Sequence, residues 1–182
     1  MALFDAGGPQ FGLDDAKIAV WNGDGTYGTA VDVPSVQMMD VQYQTVNGQL
    51  EGDDIITDTH AKARSAQVRI RFGSVSFPVL AVLTGVPTVS SPGARTQRFG
   101  KINFPYFGLC GRALSTRDGG DTHLFVPQCK IMEGFTVSFQ YGQYAIPEIT
   151  CMAVYDTTFQ DIYRSVEHDV AQAVTVPPVF TV

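Results

Sequence analysis

Several arrangements in this sequence have residue types that do chemistry elsewhere. Gly23-Asp24-Gly25-Thr26-Tyr27-Gly28 has the GxGxxG spacing of a pyrophosphate cradle and follows a short strand-like run. That chemistry needs a helix N-terminus directly afterwards. Thr29-Ala30-Val31-Asp32-Val33-Pro34 is extended and ends on proline, so the motif reads as a hairpin turn. Asp53, Asp54 and Asp58 are acidic enough for calcium, but the alternating acids around a central glycine are missing, and a solvated acidic loop is the better reading. His60, His123 and His168 sit in separate regions with no HExxH or GxSxG, and read as surface or loop histidines. Cys110, Cys129 and Cys151 are an odd count without CxxC spacing, which favours buried free thiols in a reducing compartment. Nothing local favours a Cys–His dyad. Phe99, Phe104, Tyr106 and Phe107 lie near Arg95, Arg98 and Lys101, a mixture that can stack single-stranded bases. Core aromatics with flanking charge are the preferred reading. No catalytic constellation emerges, so no enzyme is expected, and neither cofactor nor metal.

The elements that carry these residues are mostly strands. In Asp40–Thr45, Asp40, Gln42 and Gln44 alternate with Val41, Tyr43 and Thr45; in Ser65–Phe72, Ser65, Gln67, Arg69 and Arg71 alternate with Ala66, Val68, Ile70 and Phe72. Period-two alternation gives each strand one buried and one wet face. The long strands are expected over about 36–46 and 62–72, with Asn47-Gly48 as a turn signal and Leu50–Thr59 as a polar loop. Ser76-Phe77-Pro78 starts a short helix whose Val79, Leu80, Val82 and Leu83 can cover a sheet, and Gly85 ends it. Further strands are expected at 96–104, 106–115, 123–126, 129–132, 135–141 and 149–155. Val176-Pro177-Pro178-Val179 reads as an extended arm.

Composition allows one domain. The chain has 182 residues, 45% of them hydrophobic and 16% charged. No basic-plus-apolar segment opens it, so no cleaved signal is expected, and Val79–Leu83 is too short to span a bilayer. The net charge of −6 is segregated: residues 1–61 carry −9, 62–117 carry +9 without one acid, and 118–182 carry −6. The basic block either pairs with acidic strands of its own subunit or meets acidic segments of neighbouring copies, where complementarity favours association and register. Scattered basic residues on an acidic whole argue against nucleic-acid binding.

In its order of parts the chain resembles the major tail tube proteins of long-tailed bacteriophages. The resemblance runs through the long hairpin around Gly48–Thr59, Ser76-Phe77-Pro78-Val79-Leu80-Ala81-Val82-Leu83-Thr84-Gly85, Tyr106-Phe107-Gly108-Leu109, Gly119–Pro127, Cys129-Lys130-Ile131 and Ala153-Val154-Tyr155-Asp156. It covers about 17–156 as a β-domain, with an N-terminal arm at 1–16 and a C-terminal segment at 157–182. It implies an antiparallel β-sandwich or barrel with one short flanking helix, forming hexameric rings that stack into a tube conducting double-stranded DNA. Implied partners are further copies, tail terminator, tape measure and tail tip proteins, in a virion tail assembled in the host cytoplasm, with no membrane. Terminal arms lean toward a siphophage-type tail; a contractile or type VI-like tube is the alternative, and a ligand-binding β-barrel is the runner-up class. On this reading Asp40, Gln42, Gln44, Ser65, Gln67, Arg69 and Arg71 face the lumen. Gly48, Glu51, Asp53, Asp54, Asp58, His60, Arg95 and Arg98 contact neighbouring subunits or rings. Arg69 and Arg71 depart from the acidic lumen expected of such tubes, and are expected to be neutralised by Asp40 or by acid from the loop.

Overall fold

A computed structural model describes residues 10–52, 55–74, 76–116, 119–133, 140–142 and 146–178. In chain order its elements are β1 (Gln10–Gly23), β2 (Thr26–Tyr27), β3 (Val31–Asp32), β4 (Val36–Gly52), β5 (Ile55–Phe72), α1 (Phe77–Thr84), β6 (Val89–Ser91), β7 (Ala94–Thr96), β8 (Phe107–Ser115), β9 (Asp121–Ile131), β10 (Glu148–Val154) and β11 (Arg164–His168). One large sheet runs β2-β1-β8-β9-β10-β5-β4, with β3 added to β1 and β11 to β9, while β6 and β7 pair by themselves. Every pairing is antiparallel. The chain is therefore mainly β with one short helix, as the alternation implies.

Inward residues of alternating strands make the core. Ile18 of β1, Val68 and Ile70 of β5, Leu109 of β8, Val126 of β9 and Cys151 of β10 share one buried cluster, so the sheet wraps around a common interior. Helix α1 adds Val79, Val82 and Leu83 to that cluster. Gly85 closes the helix in the left-handed region at φ 71°, its N–H bonding to Ala81 O, a conformation that suits a residue without Cβ. Ser76 holds the extended N-cap backbone, but its side chain makes no cap bond.

The structure departs from the sequence reading in several places. The expected loop from Leu50 to Thr59 is strand over its described residues: β4 and β5 stay paired from Val36↔Phe72 out to Gly52↔Ile55 through three register shifts, and Asn47 and Gly48 sit within the ladder opposite Ala61 and His60. The expected arm over 1–16 overlaps β1, which pairs with β8 from Gln10 onward; Gly12 at φ 72° and a register shift between Phe11 and Asp15 break the alternation there. The C-terminal segment is no free arm either. Strand β11 lies on β9, and Val174 and Val176 pack with Ala19, Cys110 and Phe125. Of the strand expected at 96–104 only Thr96 is strand, as the last residue of β7, and the two runs expected at 123–126 and 129–132 are one strand, β9. The strand expected at 135–141 lies largely outside the described residues.

Candidate assembly surface

The outer face of β4, β5 and β10 is a polar wall. Register places Asp40 opposite Arg69, Gln42 opposite Gln67, and Gln44 opposite Ser65. On the other flank of β5, Glu148 stands opposite Arg71, Thr150 opposite Arg69 and Met152 opposite Gln67. All seven residues expected to share a face do share it, because cross-strand neighbours point to the same side of a sheet. Behind them Ala66, Val68, Ile70 and Phe72 are 0–2% exposed. The wall is rigidly backed.

Its charges cancel in pairs. Arg69 Nη2 donates to Asp40 Oδ2 at 2.6 Å, with both side chains nearly half exposed. Arg71 donates through Nε to Glu148 Oε2 at 3.0 Å and through Nη2 to the same oxygen. The neutralisation of Arg69 by Asp40 matches the sequence reading; the partner of Arg71 is Glu148 on β10, which that reading missed. The signal was present in Glu148, Thr150 and Met152 alternating with Ile149, Cys151 and Ala153. Ser65 Oγ donates to Gln44 Oε1 at 3.3 Å, leaving a wet, uncharged stretch beside the pairs.

Beyond the wall the hairpin continues alone. The last β10 partner of β5 is Val154↔Ser65, and β4 runs on from Thr45 to Gly52 paired only with β5. Eight residues at about 3.3 Å each project roughly 25 Å. A register shift between Gln44 and Thr45 marks the departure point, where an extra residue bends and twists the ribbon. Gly48, Glu51, Asp58 and His60 lie on this ribbon's backbone; Asp53 and Asp54 lie outside the described residues. Arg95 on β7 and Arg98 just after it are exposed and in no ion pair among the described residues. The rest of the basic block is partly spent within the subunit: Arg69 and Arg71 on the wall, and Arg112 on Asp14. Of the candidate stacking aromatics, Phe107 is core, Tyr106 packs edge-on against Trp21 at 5.8 Å, and Phe99 is half exposed.

A second constellation escaped the sequence reading. His123 and His168, placed apart on the surface by that reading, meet in the interior across Asp121. His123 Nε2 lies 3.1 Å from Asp121 Oδ2, His168 Nδ1 lies 2.8 Å from Oδ1, and the Gln172 N–H donates to Oδ2 at 2.6 Å. Burial works against the ionised Asp121, but the Gln172 N–H and the two imidazoles outweigh it and hold its carboxyl below the ordinary value. Burial also lowers the pKa of His123, overriding the attraction of Asp121, so that ring is neutral at pH 7. The three cysteines are free and buried, as expected. Burial pushes Cys110 and Cys151 up to about 12 and Cys129 well above its ordinary value.

A half-open hollow of about 310 Å³, bordered by Leu13, Met39, Gly111 and Leu124, has no charged side chain in its lining. Its polar side chains are the hydroxyls of Thr122 and Ser165.

No protein-family model and no curated protein matches the chain. Solved structures similar to it include the anti-feeding prophage cap, described as the tube terminating cap, seen by cryo-EM. It is 10% identical over 92% of this chain and 100% of that one, with a TM-score of 0.43. Another is the sheath/tube terminator, in the extended state, of the extracellular contractile injection system PVC. It is 14% identical over 84% of this chain and 92% of that one, with a TM-score of 0.35. These structural neighbours are tube ends of contractile injection systems, and they lend no support to the finer assignment of a siphophage-type major tube protein. At these scores neither likeness decides the role of this chain.

Proposed function

We propose that this chain is a structural subunit of a phage-tail-like tube, closing into rings through its sheet and reaching the next ring with the β4–β5 hairpin. The observation that carries this reading is the continuity of the polar wall with a ribbon projecting about 25 Å beyond the sheet. A ribbon this long, with no strand on either flank among the described residues, exposes backbone donors and acceptors that a folded monomer leaves to water, and such edges favour pairing with another chain. The wall suits a conduit for DNA. Free basic groups would grip phosphate in a salt-dependent way, whereas Arg69 and Arg71 are each held by a carboxylate. On this reading the wall residues line the lumen of hexameric rings that stack in a virion tail. Arg95, Arg98 and the ribbon meet neighbouring subunits, and terminator, tape measure and tip proteins join at the ends.

Electron microscopy of the purified chain tests the reading. Rings or stacked tubes are expected. Replacing Gly48–Thr59 by Asn-Gly should leave a folded subunit, by circular dichroism, that no longer stacks. Compact single particles at all concentrations, or normal tubes from the shortened hairpin, would refute it.

A further inference from the structure

The buried cluster at the start of β9 has the donors of a metal centre. Asp121, His123 and His168 each offer one ligand atom, and these atoms lie within 4.8 Å of one another. All three side chains are sealed from solvent: Asp121 is 2% exposed, His123 1% and His168 8%. The two imidazole rings stand edge to face, 4.7 Å apart at 73°, which lets a nitrogen of each converge on one point beside the carboxylate. We propose that Asp121, His123 and His168 bind a divalent transition ion of the zinc class, closing β11 and the chain's end onto β9.

Ligand chemistry favours that class. Two imidazoles and a carboxylate suit zinc and its neighbours, whereas magnesium and calcium take oxygen shells. Bonds of about 2.1 Å in a tetrahedron set ligand atoms about 3.4 Å apart. His123 Nε2 lies 3.1 Å from Asp121 Oδ2 and His168 Nδ1 2.8 Å from Oδ1, with all the ligand atoms within 4.8 Å, so a carboxylate bound through both oxygens reaches this spacing by small adjustments of the three side chains. The second carboxylate oxygen or a solvent molecule would complete the shell. Coordination through Nε2 leaves the ring proton on Nδ1, a buried atom with no hydrogen-bond partner among the described residues.

The surroundings fit as well. Ligating carboxylates are themselves hydrogen-bonded in established sites, and the Gln172 N–H does this for Asp121. Arg112, opposite His123 in register, is the cation that opposes an ion here. It is already engaged by Asp14 and by Gln172 O, the latter at 2.8 Å. The inference stands apart from the proposed assembly role, since it concerns one folded subunit.

The test uses the full chain, freed of metal with a chelator and then loaded with Zn²⁺ or Co²⁺. After desalting, one equivalent should remain, with a higher melting temperature and tetrahedral Co²⁺ absorption. X-ray absorption of the Zn²⁺ form should show two imidazoles and oxygen without sulfur. His123→Gln and His168→Gln should each lose the retained ion. The absorption experiment on the unaltered chain decides even where those variants do not fold. No retained ion, a shell containing sulfur, or equal retention by the folded variants would overturn the proposal.

Discussion

Carboxylates meet nitrogen donors both on the polar wall and inside the sheet at Asp121, and the two regions differ chiefly in water. Asp40 and Arg69 are 43% and 45% exposed, so solvent carries much of their solvation and their attraction is screened. Asp121 is reached by no solvent at its side chain and depends wholly on Gln172, His123 and His168. Identical functional groups therefore do different work. Pairs on the wall set its net charge with little effect on stability, and the buried cluster holds the chain's end with no effect on the surface.

The largest expected consequence of burial lies at alkaline pH. Cys110 and Cys151 have folded values near 12 against 9.0 in the unfolded chain. Their raised values mean stability is fully present below pH 9 and is lost as pH rises toward 12. Each unit of displacement is worth about 1.4 kcal/mol. Circular dichroism should show unfolding before pH 12, shifted upward in Cys110→Ala, and thiol reagents should fail to label the native chain at pH 8. Thiols that titrate in a chain still folded at pH 12 would contradict this.

Next in size is the pair of truncations that sets the regions side by side. Asp121→Ala should cost about 3–5 kcal/mol in urea unfolding because it strands buried donors. Arg69→Ala should cost about 1 kcal/mol or less. Equal costs would erase the distinction. Between them falls Gly120→Ala, where a Cβ would stand 2.3 Å from the backbone oxygen of His168. Overpacking of this kind costs about 1–3 kcal/mol, and here it should also displace β11, visible as faster amide exchange at Val166. The smallest effect is salt. Raising it should erase the Arg69→Ala difference and leave that of Asp121→Ala unchanged.

The wall was legible in the sequence because alternation reports a face that has a core behind it: Arg69 and Arg71 read outward since Val68 and Ile70 read inward. The projecting ribbon was not, because a two-stranded arm without a core behind it has no apolar face, and Leu50–Thr59 therefore reads as loop. The Asp121 cluster was hidden for a different reason. Asp121 and His168 are brought together only when β11 lies against β9, and no local spacing encodes that topology. His123 did carry a hint, since it shares the inward parity of Asp121 and Phe125.

One edge of β9 is divided, with β10 on Cys129–Ile131 and β11 on Asp121–Phe125. Seen mechanically, β11 is a short zip laid beside a longer seam. Tension on the C-terminus would first lift Val174 and Val176 and then meet the His168↔Asp121 pair before any other rung of β11. Peeling loads such rungs one at a time, so resistance is decided at the leading one. The rung that takes the strain first is the one buried deepest in polar contacts, and the end of the chain is fastened where it would otherwise begin to tear.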